Sequence, residues 1–285
     1  MKKILYTLGV SLLVAGGAQA ALVFQMDFND AAGNQSLTDR STTGVSGSFT
    51  GGSAYSTDVA SVNSGGYSGS FDGSSGAANF GNIAALDGLS QFTMTAWIRS
   101  STSDTGGPSN SGRVVSRRSG NNGVELYYHD TDDELELVPN GSPVANGGGS
   151  IAGQQWTWVA VTYDGTQTTN NVTFYTGDGT TLSTGDIVSN ANGVLNTITS
   201  DLLIGNTTGD NRTFSGLIDN VRIYNTVEDA ASLQSIMQFD DTDLIFQMDF
   251  NDAEGNQSLT DRGTTGVTGS FAGGATYSET VAPFN

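Results

Sequence analysis

The sequence predicts an all-β protein made of many short antiparallel strands, a sandwich or a barrel. Three observations predict it. Apolar residues recur with a period of two, which places them on one face of a strand. Turn dipeptides of the Asn-Gly and Asp-Gly type punctuate the chain, at Asp72-Gly73, Asp87-Gly88, Asn122-Gly123, Asn140-Gly141, Asp164-Gly165, Asp178-Gly179 and Asn192-Gly193. Glycine is abundant, 39 of 285 residues, while proline is rare at 4 and 36% of residues are apolar. That composition supplies a core and excludes a linker or collagen-like chain.

The strands can be read in order. Leu22, Phe24, Met26 and Phe28 alternate with Val23, Gln25 and Asp27. Phe92, Met94, Ala96 and Ile98 alternate with Thr93, Thr95, Trp97 and Arg99. In QWTWVAVTYDG (155–165), Trp156, Trp158 and Ala160 share one face and Val159, Val161 and Tyr163 the other. Val172, Phe174, Leu202–Gly205 and Leu217–Tyr224 complete the set. One helix is expected near the end of this region. Thr226 is placed to cap it with Asp229 three residues on, and Leu233, Ile236 and Met237 fall on one side, so it closes the domain near residue 238.

Residues 1–20 read as a secretory signal peptide: Lys2 and Lys3, an apolar stretch from Ile4 to Gly17, and the small-x-small site Ala18-Gln19-Ala20. The expected destination is outside the cell or on its surface. Removing this segment removes both lysines and leaves 29 acids against eight arginines, a net charge of −21. Such a surface excludes nucleic acid and anionic membranes as partners, because both need clustered Lys and Arg. With no cysteine the domain holds no disulfide, and with His129 as the single histidine soft-metal sites are excluded.

The chain also repeats itself. Leu22–Asn63 and Leu244–Asn285 match at a constant offset of 222 residues, with 31 of 42 positions identical. That period is too long for a solenoid and suits a whole β domain plus linker. Residues 21–237 are therefore expected to form one domain, 238–243 a linker, and 244–285 the truncated start of a second copy. Because Leu22–Phe28 and Leu244–Phe250 are nearly the same strand, both are expected to suit the same sheet position.

In order along the chain, VFQMDFND (23–30), SGSFDG (68–73), FTMTAWIRS (92–100), VVSRRSGNNGVELYY (114–128), the tryptophan strand, VTFYTGDGTTL (172–182), LLIGN (202–206) and FSGLIDNVRIYNTVEDAASLQSIM (214–237) resemble the bacterial laminin G-like domain of the concanavalin A-like lectin/glucanase superfamily. The resemblance implies an antiparallel two-sheet jelly roll with one short C-terminal helix. It also implies a fold shared by binding modules and glycan-cleaving enzymes, so function rests on the site.

Three kinds of site follow as expectations. The resemblance implies a structural Ca²⁺ where the first and last strands meet; Asp39 and Asp219 are the first candidates, with Asp27, Asp30 and Asp72 beside them, set against the alternative that these aspartates only stabilise turns. Trp97, Tyr127, Tyr128 and Tyr163 are candidates for stacking on sugar rings. Trp156 is another aromatic of that kind, although at least one of Trp156 and Trp158 belongs to the core. Asp132, Glu134 and Glu136 share strand parity, as paired carboxylates of a glycosidase do, but read better as a solvated hairpin face. The expected role is a secreted or surface-bound, non-catalytic module that recognises a glycan or an extracellular surface partner. A glycan hydrolase and a spacer without ligand are the alternatives.

Overall fold

A computed structural model describes residues 22–30, 35–62, 66–101, 111–129, 133–145, 151, 153–209 and 212–238, together with two short strands near the C-terminus. The strands are β1 (Leu22–Met26), β2 (Ser36–Thr38), β3 (Ser46–Thr50), β4 (Ala54–Ser56), β5 (Ser68–Asp72), β6 (Ala77–Asn79), β7 (Gln91–Ser100), β8 (Ser111–Ser119) and β9 (Asn122–His129). They continue as β10 (Glu134–Pro139), β11 (Val144–Ala145), β12 (Thr157–Asp164), β13 (Val172–Gly177), β14 (Leu182–Val188), β15 (Leu203–Ile204) and β16 (Ser215–Tyr224), followed by the helix α1 (Ala230–Gln238). The last two, β17 (Ser258–Thr260) and β18 (Thr268–Ser270), pair as a separate hairpin.

Two eight-stranded antiparallel sheets form a sandwich. The first runs β14-β13-β12-β7-β16-β5-β4, with β1 added alongside β16; the second runs β11-β10-β9-β8-β15-β6-β3-β2. The chain crosses repeatedly between the sheets, as from β1 to β2, β5 to β6 and β7 to β8, while β8–β11 and β12–β14 each stay within one sheet. The strand parity read from the sequence holds. Phe92, Met94, Ala96 and Ile98 face the main core with Val159, Val161 and Tyr163, opposite Val114, Leu126, Tyr128, Leu135 and Leu137 of the second sheet. Phe24 meets Phe80 edge-on at 4.8 Å, and Phe28 stacks on Phe49 at 5.9 Å, joining strands of both sheets. Each such fully buried side chain contributes about 1.5–3 kcal/mol.

A second, smaller apolar cluster lies on the outer face of the first sheet. Trp97, Trp158, Ala160 and Tyr175 are covered there by Leu233 and Met237 of α1 and by Ala60. Close approach of the helix needs Gly177, where a Cβ would stand 2.2 Å from the Met237 sulfur. The helix begins four residues later than its expected cap. Thr93 Oγ1 donates to the Thr226 carbonyl at 2.7 Å and accepts from Glu228 N at 2.9 Å, which pins that segment to the sheet. Asp229 caps instead, its Oδ1 accepting from Ser232 N at 2.8 Å. Asn140 and Gly141, with φ of 46° and 81°, form the expected turn after β10. Asn122-Gly123 does not turn; it opens β9, and the reversal falls at residues 120–121. No described helix is long and apolar enough to cross a membrane.

Candidate functional site

An open pocket of about 330 Å³ lies on the first sheet where β5, β7 and β16 run side by side, lined by Ser70, Arg99, Ser101, Gln154, Gly216 and Leu217 among others. Strand alternation places it. Trp97 and Arg99 project from the outer face of β7; Trp97 goes under α1, whereas Arg99, opposite Leu217 of β16, stands past the end of the covered cluster. Gly216 lets β16 come this close, for at its φ of 142° a Cβ would lie 2.2 Å from the Arg99 carbonyl oxygen.

Arg99 belongs to its lining, and two side chains beyond the lining, Asp58 and Trp156, are tied to it. Arg99 Nε donates to the Gln154 carbonyl at 3.1 Å, and its Nη1 pairs with Asp58. The other oxygen of Asp58 accepts from the Trp156 indole nitrogen at 3.0 Å. Asp58 thus holds the cation and the indole at once. Trp156, just ahead of β12, is half-buried against the outer cluster, and the Arg99 and Asp58 side chains are 34% and 47% exposed. Ser101 and Ser215 hydroxyls meet at 2.6 Å across the rim. Together these groups offer a planar ring edge, a charge-balanced pair and several hydroxyl and amide groups. Such a set recognises a small polar ligand with an apolar face.

The four aromatics singled out as stacking candidates sit elsewhere. Trp97 lies beneath α1. Tyr163 stacks on Phe92 at 5.0 Å and donates to the Gly193 carbonyl at 2.6 Å, and burial pushes its hydroxyl up to about 12. Tyr128 is in the main core, bonded to Asp133 and, at 3.3 Å, to the Ile151 carbonyl. Tyr127 is 8% exposed with Arg113 over its ring at 4.1 Å. Trp156 is the aromatic linked to the pocket, through Asp58 to Arg99. Its Gln-Trp-Thr-Trp context held that signal, but the parity it shares with Trp158 hid which ring reaches the surface; nothing in the sequence marked Asp58.

The aspartates proposed for Ca²⁺ occupy separate settings. Asp39 Oδ1 accepts from the backbone N–H groups of Gln25 at 2.9 Å and Ser41 at 2.8 Å, while its Oδ2 accepts from the hydroxyls of Ser41 and Thr43. Asp27 and Asp30 both pair with Arg40, at 3.3 and 3.1 Å. Asp72 closes its own turn, accepting from Ser74 and Ser75 N–H groups; these bonds hold its carboxyl down at about 2. Asp219 is buried opposite Trp97 and accepts from Asn220 N at 2.8 Å. A Ca²⁺ site needs six to eight oxygens converging on one point. Here N–H donors and an arginine already face the carboxylates, and no group of three or more acidic, His or Cys side chains able to hold a metal occurs among the described residues. This donor set does not fit the ion.

A second polar cluster covers the outward face of β8, β9 and β10. Glu125, fully buried, pairs with Arg113 at 3.3 Å and Arg118 at 2.8 Å and accepts from Ser116 Oγ at 3.0 Å. Burial pushes its carboxyl up, but the charge of Arg113 and the hydrogen bonds of Arg113, Thr207 and Arg118 outweigh it, so Glu125 lies below the ordinary glutamate value. Glu134 and Glu136, two of the paired acids, are on this face opposite His129 and Tyr127; Asp132 lies outside the described residues. A glycosidase needs one carboxyl kept protonated near neutral pH. Glu125, gripped by two arginines, is the opposite.

A family model described as concanavalin A-like lectin/glucanases superfamily, of the third laminin G type, matches residues 72–234. The chain belongs to this family. Among solved structures, this laminin G-like chain is similar to domain 4 of AbnA, a GH43 extracellular arabinanase from Geobacillus stearothermophilus, in complex with arabinotriose: TM-score 0.55, 17% identity, 77% of this chain and 99% of that one. It is similar to the binding domain of Paraclostridial Mosquitocidal Protein 1, with TM-score 0.55 and 13% identity over 76% of this chain and 52% of that one. A structure of botulinum neurotoxin type C, whose cell entry is dependent upon interaction with two ganglioside molecules, matches with TM-score 0.54 and 14% identity over 84% of this chain and 56% of that one. The chain thus spans about half the length of the two toxin chains. At these identities the likeness is one of fold. No curated protein matches the chain.

Proposed function

We propose that this laminin G-like domain is a non-catalytic module of an exported protein that binds an uncharged oligosaccharide in the Trp156–Arg99–Asp58 pocket. The observation that carries the reading is the indole of Trp156, bonded to Asp58, which in turn pairs with Arg99 of the open polar pocket. A sugar ring has an apolar face for an aromatic and hydroxyls for paired donors and acceptors, and both kinds of group converge here. Charge argues for an uncharged ligand. Arg99 is already balanced by Asp58, and a chain of net charge −19 repels acidic sugars. Arabinotriose on the AbnA domain and gangliosides with the type C neurotoxin support carbohydrate as the ligand class.

The test is a glycan array spanning neutral and acidic oligosaccharides, arabino-oligosaccharides included, followed by calorimetry. Trp156→Ala is expected to weaken the best neutral ligand at least about tenfold, which corresponds to about 1.4 kcal/mol. Binding undisturbed by Trp156→Ala and Arg99→Ala would place the ligand elsewhere. Reducing-sugar release from the bound glycans, lost in Glu136→Gln, would instead make the domain a hydrolase.

A further inference from the structure

We propose that the second copy, residues 244–285, is an alternative occupant of the place held by residues 22–62, so that this chain can close its sandwich with either copy. The first copy is seated by a short list of groups. Phe24, Met26, Phe28, Leu37 and Phe49 enter the main core. Each has an identical counterpart 222 residues on: Phe246, Met248, Phe250, Leu259 and Phe271. The polar latch that joins β1 to the other sheet, Gln25 N–H to Asp39 with Arg40 on Asp27 and Asp30, is repeated in Gln247, Asp261, Arg262, Asp249 and Asp252. The described part of the second copy has the same local structure. β17 and β18 pair Ser258 with Ser270 and Thr260 with Thr268, the register of Ser36 with Ser48 and Thr38 with Ser46 in β2 and β3.

The tether between α1 and the second copy is short in sequence. β1 lies antiparallel on β16, Leu22 opposite Tyr224 and Gln25 opposite Arg222. Arg222 Nη1 donates to the Ile236 carbonyl at 3.0 Å, which anchors the last turn of α1 beside that register. Leu244 follows Gln238 by six residues, a reach of up to about 20 Å. Both copies are tethered to one chain, so their competition does not depend on concentration. The two closures differ at the pocket. Asp58, the acceptor of Trp156 and Arg99, corresponds to Thr280 in the second copy, and the acid moves one place to Glu279, so exchange removes the carboxylate at this position. If the proposed sugar site is correct, ligand then favours the first closure; the exchange itself does not rest on that reading.

Thermal unfolding of the full chain tests this. Met26 is fully buried, so Met26→Asp should cost more than about 10 °C if nothing replaces β1. With exchange, Met26→Asp is expected to cost only a few degrees, Met248→Asp alone almost nothing, and the double variant the full drop. A Met26→Asp variant that melts with the double variant overturns the proposal. A covalent trap gives a second, independent readout. The chain lacks cysteine and β1 seats Met26 opposite Val221, so Val221→Cys with Met248→Cys in the Met26→Asp background should form a disulfide within the monomer. No disulfide, or one found only between chains, overturns it.

Discussion

The indole nitrogen of Trp156 donates to Asp58 at 3.0 Å across 98 residues of sequence, and Asp58 in turn pairs with Arg99 of the pocket. Asp58→Ala removes the acceptor while leaving the second cluster of Trp97, Trp158 and α1 intact. Because Asp58 and Arg99 are both substantially exposed, stability is expected to change by less than about 1 kcal/mol. The ring, freed from its partner, is expected to move into water. Tryptophan emission reads this directly, since Trp97 and Trp158 are buried and Trp156 is the half-buried third. A red shift with an unchanged melting temperature is the expected result, together with oligosaccharide affinity lowered about tenfold.

Glu125 supplies a pH dependence. Burial raises its carboxyl, but the charge of Arg113 and the hydrogen bonds of Arg113, Thr207 and Arg118 outweigh it and leave it below its ordinary value when folded, and Asp87 is lowered likewise despite burial by Arg117 and the Ile198 N–H. A group depressed on folding adds stability above its unfolded pKa, here about 4.5 for glutamate, and loses it as pH falls through the folded value. Melting temperature is therefore expected to be flat from pH 7 to about 5 and to fall steeply in acid. Glu125→Gln should lower stability at neutral pH by about 3–5 kcal/mol, because Arg113 is left buried without its counter-charge. It should also flatten the acid limb, as melts from pH 7 to 3 will show.

Gly216 tests whether the pocket depends on backbone approach. At its φ of 142° a side chain is strained, and a Cβ would press on the Arg99 carbonyl, which cannot rotate away as a side-chain tip does. Gly216→Ala is expected to cost about 1–3 kcal/mol from backbone strain and to separate β16 from β7 at the pocket floor. Gly81, which also has positive φ but open space around its missing Cβ, is the control. Gly81→Ala should cost less than Gly216→Ala in a denaturant titration and leave oligosaccharide binding untouched.

The residues show what was legible beforehand. Strand parity was, because period-two patterning is a local property; it put Phe92 to Ile98 and Val159 to Tyr163 on the faces they occupy. The helix was legible and its start was not, since Thr226 is held by Thr93, more than a hundred residues away in sequence. The pocket was least legible of all. Its Arg99 is tied to Asp58 and through it to Trp156, from three separate segments, and none carries a local motif. Burial removed Trp97, Tyr127, Tyr128 and Tyr163 from the surface through packing partners that no single strand reveals. Those rings look alike in sequence whether they line a core or a cleft.

Asp39 decides between a latch and a cation site. Its carboxylate draws N–H groups from Gln25 of β1 and from Ser41, and the Arg40 N–H returns a bond to the Gln25 carbonyl at 2.9 Å, so the two sheets are tied at this point. Backbone N–H groups are donors only; they stabilise an anion without a metal and offer a metal nothing. Asp39→Ala leaves buried N–H donors unpaired and is expected to cost about 2–4 kcal/mol, or roughly 4–16 °C for a domain of this size. Melts of the wild-type chain in millimolar Ca²⁺ and in chelator should coincide within about 1 °C. A Ca²⁺-dependent rise of several degrees that Asp39→Ala or Asp219→Ala abolishes would show that the carboxylates exchange these partners for the ion, and the latch would then be the metal-free form of a calcium site.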